Sequence, residues 1–285
     1  MSVLAARTSI IEGSDGVTLA VYDFGGAGDT LVVSHATGFH GRCYLDIIGS
    51  FLERFRVITF DYRGHGSSSE PDTRLRDWSG FADDLRRVCR HVSPDTPVRV
   101  FGHSMGGAAT VMLAEIDPGA VANAVLFEPI TPPPLSGLDP ESLPIVMGAR
   151  RRRAVFPDVA SAIDNYGSKP PLSVMTPSTL RAYVEFGTRP TDEGVELRCR
   201  PDFEGDVFVG AHALDVWSRL EGIPLPCLVL AGADEAAQPS SFAGPVADRL
   251  PHAQFRRLEH QTHFGPFSHP DEVADIAAEY LGGAP

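Results

Sequence analysis

The chain has 285 residues, 43% of them hydrophobic, and a formal net charge of −13. That length is enough for one large core, or for a core domain with an insertion. The acidic charge repels phosphate backbones and anionic lipid surfaces, so we expect no nucleic-acid partner and no membrane partner.

The chain shows neither a signal-peptide pattern at its start nor an apolar window approaching the roughly 18 residues of a membrane span. We therefore expect a cytoplasmic protein. The cysteines have neither C-x-x-C spacing nor a histidine pattern typical of zinc, which predicts buried free thiols and no bound metal. They are Cys43, Cys89, Cys199 and Cys227.

Short apolar runs alternate with helical patterns along most of the chain. The runs predict strands at residues 17–24, 30–35, 56–61, 97–101, 121–127 and 227–231, with a weak edge strand at 254–258. Helical spacing is found at residues 44–55, from about 78, at 107–116 and from 269. This alternation predicts an α/β fold whose mostly parallel sheet is flanked by helices and binds ligands at the carboxyl ends of its strands.

Residues 130–221 break the alternation. They begin with Thr131-Pro132-Pro133-Pro134, contain helical patches near 178–186 and 203–220, and show no convincing buried strand. Their apolar side chains argue against an irregular surface excursion. We expect a helical lid inserted after strand six, with residues 1–129 and 222–285 forming the core domain.

The segment Gly102-His103-Ser104-Met105-Gly106 is a G-x-S-x-G pattern between a predicted strand and a predicted helix. A serine on so sharp a turn has a strained backbone, and the close passage of the helix requires small residues on both sides of it. The turn raises the Ser104 hydroxyl beside a helix N-terminus, where an acyl-enzyme can form.

Three more segments follow predicted strands in the order that a nucleophilic serine requires. The turn at residues 34–39 can aim the Thr37 amide at a substrate oxygen, and with the Met105 amide it would form an oxyanion hole. Residues 231–235 present two carboxylates. His263, before the last helix, can take the Ser104 proton if a carboxylate fixes its tautomer.

Four local patterns resemble the α/β-hydrolase superfamily, and the resemblance covers nearly the whole chain. They are the His35 loop, Asp61-Tyr62-Arg63-Gly64-His65-Gly66-Ser67, Gly102-His103-Ser104-Met105-Gly106-Gly107 and His263-Phe264-Gly265-Pro266. The resemblance implies an eight-stranded core sheet, a lid after strand six, no cofactor, and a hydrolase with a Ser-His-acid triad. One departure is His35-Ala36, where family members often have His-Gly.

The acid of the triad is open among three residues. The family commonly places it three residues after a glycine and four before a proline, which favours Glu235 between Gly232 and Pro239. Aspartate is the usual residue there, so Asp234 is the second choice. Glu128, at the end of the sixth strand, is the third.

Side chains that contact substrate are harder to assign. Candidates are His35, His40, Met147, Phe156, Tyr183 and Trp217. Packing of the lid on the core explains the lid residues among them equally well. Bracing of the oxyanion loop is an equally good role for His35.

These features predict a serine hydrolase that cleaves a small, fairly apolar ester, lactone or related acyl compound through an acyl-enzyme on Ser104. A C–C bond hydrolase of ring-cleavage products also keeps the serine; a pocket arginine from residues 150–153, or Arg181, would favour it. Acyl transfer, perhydrolysis and thioester cleavage are compatible as well. A ligand-binding receptor on the same fold is the alternative outside the enzymes. The expected partner is a small molecule, and the oligomeric state is open.

Overall fold

The computed structural model describes residues 4–75, 77–134, 137, 139–213, 215–236 and 238–283. Its strands are β1 (Arg7–Glu12), β2 (Thr18–Asp23), β3 (Thr30–Ser34), β4 (Arg56–Phe60), β5 (Val98–His103), β6 (Val121–Phe127), β7 (Val155–Phe156), β8 (Thr188–Thr191), β9 (Gly194–Leu197), β10 (Cys227–Ala231) and β11 (Ala253–Arg257). Eight of them form one sheet in the order β1-β2-β4-β3-β5-β6-β10-β11. The pairs β1–β2 and β2–β4 are antiparallel, and the other pairs are parallel.

Helices cover both faces of this sheet. The helices of the described residues are α1 (Leu45–Phe51), α2 (Ser79–Val92), α3 (Met105–Ile116), α4 (Pro144–Arg150), α5 (Val159–Gly167), α6 (Pro177–Gly187), α7 (Pro201–Gly210), α8 (Ser240–Arg249), α9 (Gly265–Ser268) and α10 (Pro270–Gly282). Helices α2, α3 and α8 bury apolar side chains in one cluster, and α1 and α10 bury theirs in a second cluster. The central strands are apolar on both faces because both faces are covered.

The predicted parallel sheet is confirmed, and strands β6 and β10 have the bounds predicted for them. Strand β1 and helix α8 were not predicted. Strand β1 lies at the edge of the sheet and is half exposed, so it has no apolar run. Helix α8 contains Pro245, and its apolar periodicity is correspondingly weak.

Residues 128–226, here called the insert, separate β6 from β10. The insert holds α6 and α7, which lie at the two predicted helical patches, and it also contains α4, α5 and the antiparallel sheet β7-β9-β8, which were not predicted. The sequence predicts no convincing buried strand in this stretch, and most residues of these three strands are exposed or half-buried. Each of these strands has two to four residues, which is too short for an apolar alternation to be visible in the sequence.

Specific contacts fix the insert on the core. Trp78 Nε1 donates to the carbonyl of Val207 at 2.7 Å. The Asp46 carboxylate accepts from the hydroxyls of Thr176, Ser178 and Thr179 at 2.7–3.0 Å. Because Asp46 follows the turn after β3, these bonds dock α6 near the carboxyl ends of the strands. Within the described ranges, no helix is long and apolar enough to cross a membrane.

Candidate active site

Ser104 lies on a strained turn between β5 and α3, with φ +56° and ψ −117°. A Cβ atom on Gly102 would lie 2.9 Å from the Gly107 Cα, and one on Gly106 would overlap the Ser34 carbonyl. The strand and helix therefore approach as closely as the glycine pattern predicts.

Backbone hydrogen bonds tie this turn to the end of β6. The Ser104 N–H donates to the Phe127 carbonyl at 3.0 Å, and the Ile130 N–H donates to the Ser104 carbonyl at 3.2 Å. Between these partners lies Glu128, whose φ of +45° is unusual for a residue with a side chain. The strained turn of the serine and that of the glutamate are thus adjacent.

Glu128 is the carboxylate partner of His263. Its Oε2 lies 2.6 Å from His263 Nδ1, and its Oε1 accepts the Gly232 N–H at 2.7 Å. The Glu128 side chain is fully buried, whereas that of His263 is 23% exposed. Since a carboxylate only accepts, Nδ1 carries the proton and the Nε2 lone pair of a neutral ring is available.

This pairing corrects the preference for Glu235 and for Asp234. Both residues are exposed in the loop after β10. That loop contributes a backbone N–H, from Gly232, to the carboxylate on the neighbouring strand end. Glu128, the third choice from the sequence, occupies the position next to the imidazole.

The oxyanion loop leaves one amide free. The Ala36 N–H donates to the Tyr44 hydroxyl, and the Gly38 N–H donates to His65 Nε2, each at 3.1 Å. In the described part of the chain, neither Thr37 N–H nor Met105 N–H has a hydrogen-bond acceptor. Met105 is the first residue of α3, where backbone donors have no partner within the helix.

His35 braces this loop and is not placed to contact substrate, which corrects its inclusion among the substrate-binding candidates. Its Nε2 accepts the Tyr62 N–H at 2.9 Å, and its Nδ1 donates to the Ala36 carbonyl at 2.8 Å. Burial lowers the pKa of His35 to about 3, so the ring is neutral. Burial lowers the pKa of His65 to about 3 as well.

His40 and Tyr183 meet beside the oxyanion loop. His40 Nε2 lies 3.2 Å from the Tyr183 carbonyl, and both side chains line a cavity of about 10 Å³. That volume admits a water-sized group and nothing larger. Contact of these two residues with substrate stays a prediction.

The remaining pocket candidates lie elsewhere. Phe156 is 1% exposed and packs on Tyr166 inside the insert, with ring centroids 5.5 Å apart. Trp217 packs under the Arg249 guanidinium at 4.9 Å, on the flank formed by α8. Met147 is 39% exposed on α4. Trp217 therefore packs the insert on the core, whereas Phe156 packs within the insert itself.

A buried ion pair next to Gly38 was not predicted. Arg152 donates to Glu204 Oε2 at 2.5 Å, to the Tyr166 hydroxyl at 3.1 Å, and to the Tyr183 hydroxyl. A Cβ atom on Gly38 would overlap Glu204 Oε1. Arg152 lies in the basic run that the sequence singles out, but no pattern marks Glu204 as its partner.

Among the residues that the structure describes, no group of three or more His, Cys, Asp or Glu side chains is arranged to hold a metal ion. The four cysteines are buried and form no disulfide.

A mostly parallel eight-stranded sheet, a serine on the turn after β5, and a His–carboxylate pair at the strand ends define the α/β-hydrolase class. The chain belongs to the alpha/beta hydrolase family, whose model matches residues 31–276.

Individual relatives are distant. The chain is 29% identical over 253 residues to the magnesium-chelatase 30 kDa subunit of Rhodobacter capsulatus, covering 84% of this chain and 82% of that one. The crystal structure of E-2-(acetamidomethylene)succinate hydrolase superposes with a TM-score of 0.79 at 19% identity, covering 98% and 100% of the two chains. A malate-bound thermophilic esterase from Thermogutta terrifontis superposes with a TM-score of 0.74 at 22% identity, covering 97% and 98%. At these identities the two solved structures show that the chain shares their fold.

Proposed function

We propose that the protein is a serine hydrolase that cleaves a small, fairly apolar ester, lactone or related acyl compound. The observation that carries this proposal is the 2.6 Å contact between His263 and the buried Glu128, beside the strained turn of Ser104. A serine whose proton is taken by such an imidazole–carboxylate pair is the catalytic unit of acyl transfer, and we assign that serine to Ser104.

In the proposed mechanism, His263 Nε2 takes the proton of the Ser104 hydroxyl as its oxygen attacks the substrate carbonyl. The free amides of Thr37 and Met105 donate to the oxyanion. The imidazolium is stabilised by Glu128 and gives its proton to the leaving group. Water, activated by the same imidazole, then releases the acid from Ser104.

The insert serves as the lid in this proposal, and its charges favour a neutral substrate. Arg152 is neutralised by Glu204 beside the oxyanion loop. Arg150 is held by Glu141 and Asp206. Arg181 is exposed and paired with Glu185 along its own helix. Three of the five arginines that would pair a substrate carboxylate, and so favour the C–C hydrolases, are thus already engaged.

The test is hydrolysis of p-nitrophenyl esters of graded acyl length by the wild-type protein, by Ser104→Ala and by the exposed-serine control Ser218→Ala. We expect turnover of short or medium esters by wild type and control, and a loss of at least about a thousandfold in Ser104→Ala. A carboxylate-bearing ester belongs in the series, because one structural neighbour is named for a succinate substrate.

The outcomes separate the alternatives. Equal activity in Ser104→Ala and wild type would remove Ser104 as the nucleophile. A wild type that turns over no ester and is not labelled by a fluorophosphonate would favour the receptor hypothesis. The fluorophosphonate control is included because one relative is named as a magnesium-chelatase subunit and not as a hydrolase.

A further inference from the structure

A chain of three hydrogen bonds, two of them buried and the third part-buried, runs from the oxyanion loop to the backbone of His263. The Ala36 N–H donates to the Tyr44 hydroxyl at 3.1 Å. The Tyr44 oxygen lies 2.8 Å from His103 Nδ1. His103 Nε2 lies 2.9 Å from the His263 carbonyl. His103 is the residue immediately before Ser104 in the turn.

The direction of each bond follows from the chemistry of its two ends. A carbonyl only accepts, so His103 Nε2 carries a hydrogen. In the neutral ring Nδ1 is then an acceptor, and the Tyr44 hydroxyl donates to it. The Tyr44 oxygen in turn accepts from the Ala36 amide. The order of donors is therefore fixed from one end to the other.

Burial keeps water out of this chain. Tyr44 and His103 are each 1% exposed. Burial also lowers the pKa of His103 well below its ordinary value, which keeps the imidazole neutral. A buried, fully satisfied network of this kind holds its members in one arrangement.

Aromatic packing restricts the same side chains. The His103 ring lies 4.9 Å from the His263 ring and 5.3 Å from Phe267, measured between centroids. Tyr44 packs against the same Phe267 ring, with centroids 4.9 Å apart. Movement of His103 would therefore shift His263, and movement of Tyr44 would shift the loop that holds Ala36.

We propose that Tyr44 and His103 are positioning residues that fix His263 relative to the oxyanion loop. Their hydrogen bonds set the separation between the Thr37 amide, one residue after Ala36, and the imidazole that serves Ser104. Catalysis by preorganised donors depends on such separations. This inference rests on the proposed function, because it assigns the two residues to the same reaction.

The first test reads the hydrogen bonds without any turnover. In ¹⁵N-histidine NMR spectra of the wild-type protein, His103 should be a neutral ring with hydrogen on Nε2 and a hydrogen-bonded Nδ1. In Tyr44→Phe, the Nδ1 resonance should move to the position of a free acceptor. A hydrogen on Nδ1 in the wild type, or a spectrum unchanged by Tyr44→Phe, would overturn the network.

The second test separates positioning from packing. Tyr22 is a matched control, because it too is buried and its hydroxyl donates at 2.7 Å to the Asp61 carboxylate, not to His103. We expect Tyr44→Phe to lower kcat about tenfold with KM within about twofold. Tyr22→Phe should change neither by more than about twofold, although both lose one buried hydroxyl. Equal kinetic effects of the two substitutions would contradict the proposal.

Conservative substitution of His103 gives a third reading. In His103→Gln, the amide N–H₂ can take the place of Nε2 and donate to the His263 carbonyl, whereas the shorter side chain of His103→Asn cannot reach it. We expect kcat of the glutamine variant to exceed that of the asparagine variant by about tenfold. Equal kcat values would contradict the role of that bond.

The two proposals fail differently. A wild type without turnover removes the proposed function and the positioning role with it, while the NMR spectra still report the network. Turnover that depends on Ser104, together with equal kinetics of Tyr44→Phe and Tyr22→Phe, removes the positioning role alone.

Discussion

Replacing Glu128 by glutamine tests the least conventional part of the candidate site. The carboxylate has two oxygens, one accepting from His263 Nδ1 at 2.6 Å and the other from the Gly232 N–H at 2.7 Å. An amide of the same shape has one acceptor and one donor group. It satisfies the Gly232 N–H only by turning its N–H₂ toward the imidazole, and the side chain is fully buried, so it cannot swing into water.

The consequence is a change of tautomer at His263. An N–H₂ donor facing Nδ1 favours a ring with hydrogen on Nε2, the atom that must take the Ser104 proton. The corresponding aspartate-to-asparagine substitution in a serine-protease triad costs about 10⁴ in kcat. We therefore expect Glu128→Gln to lower kcat by about three to four orders of magnitude, which corresponds to about 4–5.5 kcal/mol in the activation free energy.

The assay is p-nitrophenyl ester hydrolysis, with thermal melting to show that each variant is folded. Glu235→Gln and Asp234→Asn are the matched controls, since their side chains are exposed in the loop after β10. Both controls should keep kcat within about twofold of wild type. Retention of activity in Glu128→Gln, with its loss in either control, would refute the assignment of Glu128 and the geometry on which it rests.

Two further predictions concern the surroundings of the site. Gly38 and Gly25 have φ of +77° and +74°, but a Cβ atom on Gly38 would overlap Glu204 while one on Gly25 would have nothing within 4 Å. Gly25→Ala should cost about 1–2 kcal/mol of stability with kcat unchanged; Gly38→Ala should cost more and should also lower kcat, because it displaces the loop of Thr37. Equal urea-unfolding and kinetic results for the two variants would contradict this. Burial lowers the pKa of four histidines, so the unfolded chain binds protons that the folded protein does not, and stability present above pH 6.5 is lost as pH falls. Between pH 7.5 and 5.5, the free energy of unfolding measured with urea should fall by about 1.4 kcal/mol for each histidine that stays neutral in the folded protein. A free energy of unfolding that stays constant or rises would show that these rings are protonated in the folded state. The four are His35, His40, His65 and His103.

The parallel core could be predicted because its strands are buried on both faces and so have continuous apolar runs. Strand β3, for example, has four of its five residues buried. The elements that sequence analysis missed are those whose burial is incomplete or whose length is short. Strand β1 alternates between exposed and half-exposed residues, and strand β7 has two residues in all. Neither produces a periodicity that local composition can reveal.

The site could be predicted to the extent that a local turn determines it. Ser104 and His263 each lie in a glycine-containing turn after a strand, and short-range patterns describe such turns well. The partners of Arg152 and His103 are different, because Glu204 and the His263 carbonyl reach them from distant segments. Contacts of that kind depend on how the insert and the last turn pack, which no spacing in the sequence encodes.

The position of the triad acid explains why the sequence alone does not decide among Glu235, Asp234 and Glu128. Strands β6 and β10 are parallel neighbours, so their carboxyl ends lie side by side. Either end can therefore bring a carboxylate to the imidazole, with a backbone N–H from the other end to stabilise it. In this chain β6 contributes the carboxylate of Glu128 and β10 contributes the N–H of Gly232. The deciding feature is the φ of +45° at Glu128, which turns the side chain back over the sheet edge toward His263. A backbone angle of this kind, in a residue other than glycine, is enforced by the surrounding fold and leaves no mark in the residues next to it.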